Sequence, residues 1–328
     1  MPPFIILFSI TLISGTLLAI SRRHWLYNWA GLEIIMLSFL AILQFNPQNQ
    51  TSEAATKYFI TQSVGSILFL CAGISSTAYL NNQLSTLIFV GAIGIKLGIA
   101  PFHFWLPPVV SALSWSPLII LIIWQKIAPI LILFNLISWK TRIMILLIRT
   151  ARLLVGALGG IGQSQIRPIL AFSSISHIGW IASVSLFSKP IAHFYLVLYI
   201  IIIFPLLYLL KTANASSLLN TKNFASTNAL ISLGLTLISI GGIPPFSGFI
   251  LKWIRIQILV INVPLIILTL IVILSLCNLF YYLNILYSLR LASLALPISH
   301  ETSKNRAIII ALPLILIFSV NISLFLNI

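Results

Sequence analysis

Residues 91–108 decide the fold of this chain, and they read G-A-I-G-I-K-L-G-I-A-P-F-H-F-W-L-P-P. The stretch begins as an apolar helix, carries Lys96 about halfway along, and is interrupted at Gly98 and Pro101. Because proline removes a backbone donor and blocks continuation of the helix, the carbonyls before it are left free. At membrane depth, free carbonyls and a lysine are both costly unless they are buried in protein or face water. The stretch therefore predicts a site, and the alternative is a lysine that only caps a kinked helix.

The composition is that of a membrane protein. Of the 328 residues, 60% are hydrophobic and 6% are charged, and apolar runs long enough to cross a bilayer recur along the chain. The formal net charge is +15 because only three residues are acidic, namely Glu33, Glu53 and Glu301. Lysine and arginine stand singly between the apolar runs, which argues against nucleic acid as a partner and indicates anchors at the membrane interface.

Cofactor motifs are missing from the sequence. It has no Cys-x-x-Cys, no Cys/His cluster at metal-ligand spacing and no glycine-rich nucleotide loop after a strand. We therefore expect this chain to hold no metal, flavin or nucleotide. The N-terminus shows no cleavable signal or presequence, so we expect the first apolar run to remain as a membrane span.

The apolar runs predict an all-α, polytopic transmembrane bundle of about eleven helices, each near the about 20 residues that a bilayer requires. The predicted spans are residues 3–20, 25–45, 54–78, 84–113, 116–138, 141–162, 166–187, 190–210, 226–260, 264–288 and 306–327. We expect one membrane domain over residues 1–328. Its first repeat would cover about 1–138 and its second about 141–288, before a C-terminal helix at about 306–327.

A short internal repeat supports this division. G-I-A-P-F at 98–102 in the fourth span matches G-I-P-P-F at 242–246 in the ninth, and the same offset carries Glu33 onto His177. Each half thus holds one interrupted helix and, two helices earlier, one ionisable residue. Weak internal symmetry with broken helices at matching positions is typical of a transporter core.

Four charged residues are the main candidates for function. Glu33 is the only carboxylate well inside a span, and Lys96, Lys126 and Lys252 are the three lysines well inside spans. Burial favours a neutral lysine and a nearby carboxylate favours a charged one, so a partner that moves could load and unload a proton. We expect Glu33 to pair with Lys96. The alternative for Glu33 is a protonated side chain that bonds two helices together.

Two histidines are the next candidates. His177 lies in a polar run with Ser173, Ser174 and Ser176, and a histidine, with its ordinary pKa of about 6.5, suits a proton relay. The alternative for His177 is packing. His103 follows the first break and could bridge to Lys126.

Other polar residues have simpler interpretations. Arg149 and Arg152 could reach an interface, another subunit or a lipid headgroup. Four tryptophans near span ends read as interfacial aromatics, namely Trp105, Trp115, Trp139 and Trp253.

Four blocks of sequence resemble one family. They are E-A-A-T-K-Y-F (53–59), K-L-G-I-A-P-F-H-F-W-L-P (96–107), Q-S-Q-I-R-P-I-L-A-F-S-S-I-S-H-I-G-W (163–180) and G-G-I-P-P-F-S-G-F-I-L-K-W (241–253). In this order they cover nearly the whole chain and resemble the antiporter-like subunits of NADH-ubiquinone oxidoreductase, respiratory complex I, in their animal, mitochondrially encoded form. One departure is Pro108, which stands where the family's L-P-E-V motif has a glutamate.

The resemblance implies a fold of two inverted repeats, each with a discontinuous helix. It also implies a proton path through Glu33, Lys96, Lys126, His177 and Lys252, with His103, Ser173, Ser174 and Ser176 as possible supporting residues. The chain would be a proton-translocating subunit that couples electron transfer from NADH to quinone with proton pumping. The alternatives are a stand-alone cation/proton antiporter and a non-conducting structural subunit.

The same resemblance implies the chain's location and partners. It would be a multi-pass protein of the mitochondrial inner membrane, beside other membrane-arm subunits of complex I and lipids such as cardiolipin. NADH, FMN, iron-sulfur clusters and ubiquinone would be bound by partner subunits, so the enzyme activity would belong to the whole NADH:ubiquinone reductase.

Overall fold

A computed structural model describes residues 3–21, 24–45, 49–77, 82–136, 154–214, 227–244 and 246–294. In these ranges the first half contains α1 (Pro3–Ser21), α2 (Trp25–Gln44), α3 (Asn49–Thr77), α4 (Asn82–Leu97), α5 (Leu106–Ala112), α6 (Trp115–Ile119), a π-helix (Ile120–Trp124) and α7 (Gln125–Leu136). The second half contains α8 (residues 154–160), α9 (Ile166–Val184), α10 (Lys189–Thr212), α11 (Thr227–Gly241), α12 (Ser247–Asn262) and α13 (Leu265–Leu294).

Six helices of the described residues have the length and apolar composition to cross a membrane. They are Phe4–Ser21, Trp25–Gln44, Asn49–Thr77, Trp115–Leu136, Lys189–Thr212 and Leu265–Ser288. Shorter apolar helices cover Gln83–Leu97 and Leu230–Gly241, directly before the two predicted breaks. Many large apolar side chains on the long helices face outward, as expected for helices in contact with lipid or with partner subunits.

The helices follow the predicted spans closely where the structure describes them. The third span begins at Asn49, five residues before the expected start, and the tenth continues to Leu294 instead of ending at 288. Most of the sixth span, the whole eleventh, and Arg149, Arg152 and Trp139 lie outside the described residues.

The chain divides into two compact units, Met1–Arg152 and Leu153–Ile328. In the first unit α2 packs against α1 and α3, and α3 packs against α4 and α5. In the second unit α9, α10, α11 and α13 all pack against α12. Nearly every residue of α9 is buried, including its serines and His177, so α9 is an interior helix of its unit.

The first break separates α4 from α5. Gly98 has φ +65°, in the left-handed region where a Cβ is unfavourable, and residues 98–105 form turns before the short α5. The second break separates α11 from α12, and there Gly242 has φ +72°. Both broken helices predicted from the repeated motif are therefore present.

Candidate functional site

The side chains of Glu33 and Lys96 meet in the first unit. Lys96 lies in the last turn of α4, and its Nζ is 3.5 Å from Oε1 of Glu33 on α2. The lysine side chain is 3% exposed and the carboxylate 20% exposed. A lysine buried to this degree needs a counter-charge, and Glu33 is the one carboxylate that the first unit has well inside a span.

Two neutral side chains bond the carbonyls that the first break leaves free. Trp105 donates from Nε1 to the carbonyl of Ile95 at 3.1 Å, and Gln62 donates from Nε2 to the carbonyl of Lys96 at 3.2 Å. Because these carbonyls have other donors, the Lys96 ammonium is not needed to cap the helix. The alternative of a lysine that only caps carbonyls is therefore not what this geometry shows.

The prediction of interfacial tryptophans is wrong for two of them. Trp105 is 8% exposed and Trp115 is 4% exposed, whereas Trp253 is 52% exposed as expected. Trp105 lies inside because its indole N–H bonds the broken helix and its ring packs edge-on against Tyr58, with ring centroids 5.7 Å apart. A tryptophan near the end of a span has the same sequence signature whether it faces headgroups or a break in a neighbouring helix.

Lys96 and Lys126 line one cavity in the first unit. The cavity offers about 20 Å³ to the centre of a water-sized sphere, and a single water molecule needs about 10–15 Å³ by that measure. Its polar lining consists of Lys96, Lys126, Tyr58, Gln62 and Gln125. A water molecule there has enough polar partners in the cavity lining to be stable.

Lys126 has no hydrogen-bond partner for its Nζ among the described residues, although the residue is only 4% exposed. It follows a π-helix, a rare geometry that is frequent at functional sites. Its neighbour Gln125 is fixed by two bonds: the Tyr58 hydroxyl donates to Oε1 at 3.3 Å, and Nε2 donates to the carbonyl of Ile35 at 3.4 Å. Gln125 and Tyr58 are polar residues of this site that sequence reasoning missed.

The lysine of the second break is bonded differently. Lys252 Nζ donates to the carbonyl of Gly241 at 2.5 Å, so this lysine does cap the broken helix. A Cβ at Gly242 would lie 2.7 Å from Cδ of Lys252, so an added methyl group would displace the lysine side chain, while the positive φ itself favours glycine.

His177 is buried on α9 and bonds to Tyr195 on α10. Its Nδ1 is 3.3 Å from the Tyr195 hydroxyl, and its ring lies 4.9 Å from the ring of Tyr199. This pairing suits either a relay or a packed polar core, so the role of His177 stays a prediction. Tyr195 was not predicted, because its contact depends on how α10 packs against α9.

The supporting residues named from the sequence occupy two settings. The hydroxyls of Ser173, Ser174 and Ser176 are buried and donate to carbonyls of their own helix at 2.9, 2.7 and 2.6 Å. His103 lies in the turns of the first break beside Phe104, and it is absent from the residues that line the Lys96–Lys126 cavity. The bridge from His103 to Lys126 therefore stays a prediction without a contact to support it.

Arg255 is a further charged residue of the second unit, and the sequence analysis assigned it no role. It is 0% exposed, and its guanidinium lies over the ring of Trp180 with Cζ 3.1 Å from the ring centroid. Among the described residues, no group of three or more His, Cys, Asp or Glu side chains could hold a metal ion.

Fold and site together define a class: a multi-span helical membrane protein with charged side chains buried beside broken helices. The sequence model of the family described as NADH:quinone oxidoreductase/Mrp antiporter, TM, matches residues 23–277. The chain is 36% identical over 299 residues to NADH-ubiquinone oxidoreductase chain 2 of Lemur catta, covering 88% of this chain and 86% of that one. The chain belongs to this family of transmembrane subunits.

Two solved structures have the same fold. A chain of respiratory complex I from Thermus thermophilus matches with a TM-score of 0.84 and 21% identity, over 97% of this chain and 78% of that one. A chain of the Mrp complex from Dietzia sp. matches with a TM-score of 0.82 and 17% identity, over 97% of this chain and 75% of that one. The resemblance read from the sequence and the helical membrane fold are confirmed, while the inverted orientation of the repeats stays a prediction.

Proposed function

We propose that this chain is the antiporter-like subunit of an NADH:ubiquinone oxidoreductase that corresponds to chain 2 of its mammalian relatives, and that it conducts protons across the mitochondrial inner membrane. The observation that carries the proposal is a cavity lined by two buried lysines, Lys96 and Lys126, of which the first is paired with Glu33 and the second has no partner among the described residues. Intramembrane charges of this kind are costly, and they are best explained by ion transfer.

The ion pair supplies the switch in this proposal. While the Glu33 carboxylate is near, the protonated form of Lys96 is stabilised. When the two groups separate, that stabilisation is lost, and the proton of Lys96 is free to leave. The cavity offers a route to Lys126, because both lysines line it and water inside it can accept a proton from Lys96 and pass one on to Lys126.

The proposed path uses Glu33, Lys96 and Lys126 in the first unit and His177 and Lys252 in the second. His177 supports a relay because it is buried and already bonded to Tyr195. Lys252 supports a second loading position because its ammonium lies against the free carbonyl of the second break. His103 and the serines of α9 are at most supporting residues, since the serine hydroxyls bond their own helix.

Redox chemistry is assigned to partners in this proposal. Other subunits of the complex would bind NADH, FMN, iron-sulfur clusters and ubiquinone. This chain would use the free energy that electron transfer in those subunits releases. Membrane-arm subunits and lipids such as cardiolipin would contact the many apolar side chains that face outward from its helices.

The test replaces Lys126 by Met in the intact complex reconstituted into liposomes. We expect K126M to abolish proton pumping coupled to NADH oxidation, because the path loses its only ionisable group on α7. The matched control is K57M, which removes an exposed lysine that pairs with Glu53 on α3 and lies outside the cavity. K57M should pump normally.

Other results, with the intact complex or with the purified chain, would favour the alternative functions. Unchanged pumping in K126M would remove Lys126 from the path and favour a non-conducting structural subunit. If the purified chain alone exchanged protons for other cations in liposomes, without redox partners, the stand-alone antiporter would be favoured instead.

A further inference from the structure

Arg255 is a buried charge without a counter-ion in the described part of the second unit. Its side chain is 0% exposed, and none of its three guanidinium nitrogens has a hydrogen-bond partner among the described residues. Its contact with the ring of Trp180 is a cation–π interaction, which offsets only part of the cost of burying the charge. Burying an unpaired charge costs more than that, so packing alone does not explain the residue.

The described surroundings of Arg255 carry no carboxylate. The helices packed against α12 are α9, α10, α11 and α13, and none of them contains Asp or Glu. The single acidic residue of the second unit, Glu301, lies outside the described residues. Among the described residues, no carboxylate therefore offsets the charge of Arg255.

The titratable groups near Arg255 in the described part of the unit are tyrosines, one of which is bonded to a histidine. The Tyr195 hydroxyl on α10 interacts with the guanidinium, and it is in turn bonded to His177 on α9. Tyr282 on α13 interacts with Tyr195, whereas α11 has no titratable side chain. None of these groups is an anion under ordinary conditions, so none neutralises the arginine.

Another cation, Lys252, lies three residues earlier on the same helix. Side chains spaced by three residues lie on one helix face with their Cβ atoms about 5–6 Å apart, and Lys252 and Arg255 interact electrostatically. The bond from Lys252 to the Gly241 carbonyl offers only a partial negative charge. Two full positive charges this close repel each other, and low-dielectric surroundings strengthen the repulsion.

We propose that Arg255 is a positioning residue for proton transfer at Lys252: the permanent charge of the guanidinium repels the protonated form of Lys252 and makes that form short-lived. The guanidinium stays charged in proteins, so Lys252 is the member of the pair that releases its proton. Trp180 holds the guanidinium in place without neutralising it. The inference rests on the proposed function, because it concerns the rate at which Lys252 gives up a proton during pumping.

The test compares R255M and R255K in the intact complex reconstituted into liposomes, with proton pumping and NADH oxidation measured across pH. In R255M, Lys252 would retain its proton to higher pH, so the alkaline limb of the pumping profile should move up by about one pH unit. R255K keeps a cation at the position, and its profile should stay closer to the original one. R255M should also assemble normally, because it loses an unpaired buried charge.

Three results would overturn the inference. One is a pumping–pH profile of R255M that superimposes on the profile of the unmodified complex. Another is a pumping–pH profile of R255K that is displaced as far as that of R255M. The third is failure of R255M to assemble, which would make the guanidinium a structural anchor. K252M tests the proposed function separately, because continued pumping in K252M would exclude Lys252 from the path whatever Arg255 does.

Discussion

The two helix breaks share a backbone but differ in what surrounds their lysines. Gly98 and Gly242 begin the matching motifs and have φ values of +65° and +72°. Each is followed by a proline, so each helix loses donors at the same place. Breaking the helix in this way therefore leaves the same problem in both units, namely carbonyls without partners at membrane depth.

The units solve this problem with different side chains. In the first unit, the neutral donors Trp105 and Gln62 bond the free carbonyls, and Lys96 is left to pair with Glu33. In the second unit, Lys252 itself bonds the carbonyl. Its closest charged neighbour on α12 is an arginine instead of a carboxylate. The comparison teaches that a repeated motif fixes the path of the backbone, while the charge state favoured at each lysine depends on side chains outside the motif.

The largest effect is expected from removing the carboxylate that distinguishes the first unit. In E33Q, Lys96 loses the group that stabilises its proton. We expect coupled pumping to fall by about 100-fold or more, since breaking a buried ion pair costs about 3 kcal/mol or more. The measurement is proton uptake per NADH oxidised in liposomes that contain the intact complex.

The control for E33Q is E53Q, which removes the exposed carboxylate that pairs with Lys57 at 2.5 Å. Exposed ion pairs contribute little, so E53Q should pump at the original rate. Equal effects of E33Q and E53Q would show that the contrast between the two lysines has no functional meaning.

A second prediction compares the two glycines directly. Alanine in a left-handed conformation costs about 1–2 kcal/mol, so G98A and G242A should both destabilise the complex. G242A should cost about 1 kcal/mol more, because its Cβ would lie 2.7 Å from Cδ of Lys252, whereas the closest atoms at Gly98 are 3.2 Å away. Thermal denaturation of the purified complexes measures the difference.

The same pair also separates stability from function. G242A forces Lys252 to move and weakens its bond to Gly241, so pumping should fall along with stability. G98A meets Trp105 and Leu106 and leaves the Glu33–Lys96 pair in place, so it should lower stability and largely spare pumping. A G98A variant that stopped pumping while denaturing normally would contradict this separation.

How much the sequence predicted depends on the kind of residue. The breaks followed from Gly98, Pro101 and the matching motif, because these residues limit the backbone wherever they occur. The pairing of Glu33 with a buried lysine was predictable, since Glu33 is the one carboxylate well inside a span, but the choice of Lys96 among three lysines did not follow from the sequence pattern.

Contacts set by helix packing could not be predicted in the same way. Tyr195 reaches His177, and Tyr58 reaches Gln125, only because particular helices lie side by side. The burial of Trp105 likewise depends on the turns of the break, which bring its N–H to the Ile95 carbonyl. No periodicity or spacing in the sequence carries that information.

A third prediction tests whether the neutral donors of the first break matter. W105F keeps an aromatic ring but removes the N–H that bonds Ile95, so the carbonyl keeps only the backbone bond from Gly98. We expect a loss of stability of about 1–2 kcal/mol. The control is W253F, which changes a tryptophan that is 52% exposed and should leave the denaturation temperature unchanged. Equal stability of W105F and the original complex would mean that the indole N–H is dispensable.

The smallest effect is expected at Tyr58, whose hydroxyl donates to Gln125 at 3.3 Å. Y58F removes this donor from the Lys96–Lys126 cavity but keeps the ring that packs between Phe39 and Trp105. A single neutral hydrogen bond contributes about 1 kcal/mol, so coupled pumping should slow by no more than about fivefold, and the free energy of unfolding should fall by no more than about 1 kcal/mol. The control is Y287F, because Tyr287 is 68% exposed on α13. The described contacts of the second break include no comparable network of neutral side chains. An undiminished pumping rate in Y58F would therefore mean that Lys96 and Lys126 exchange protons without the neutral side chains that distinguish the first unit.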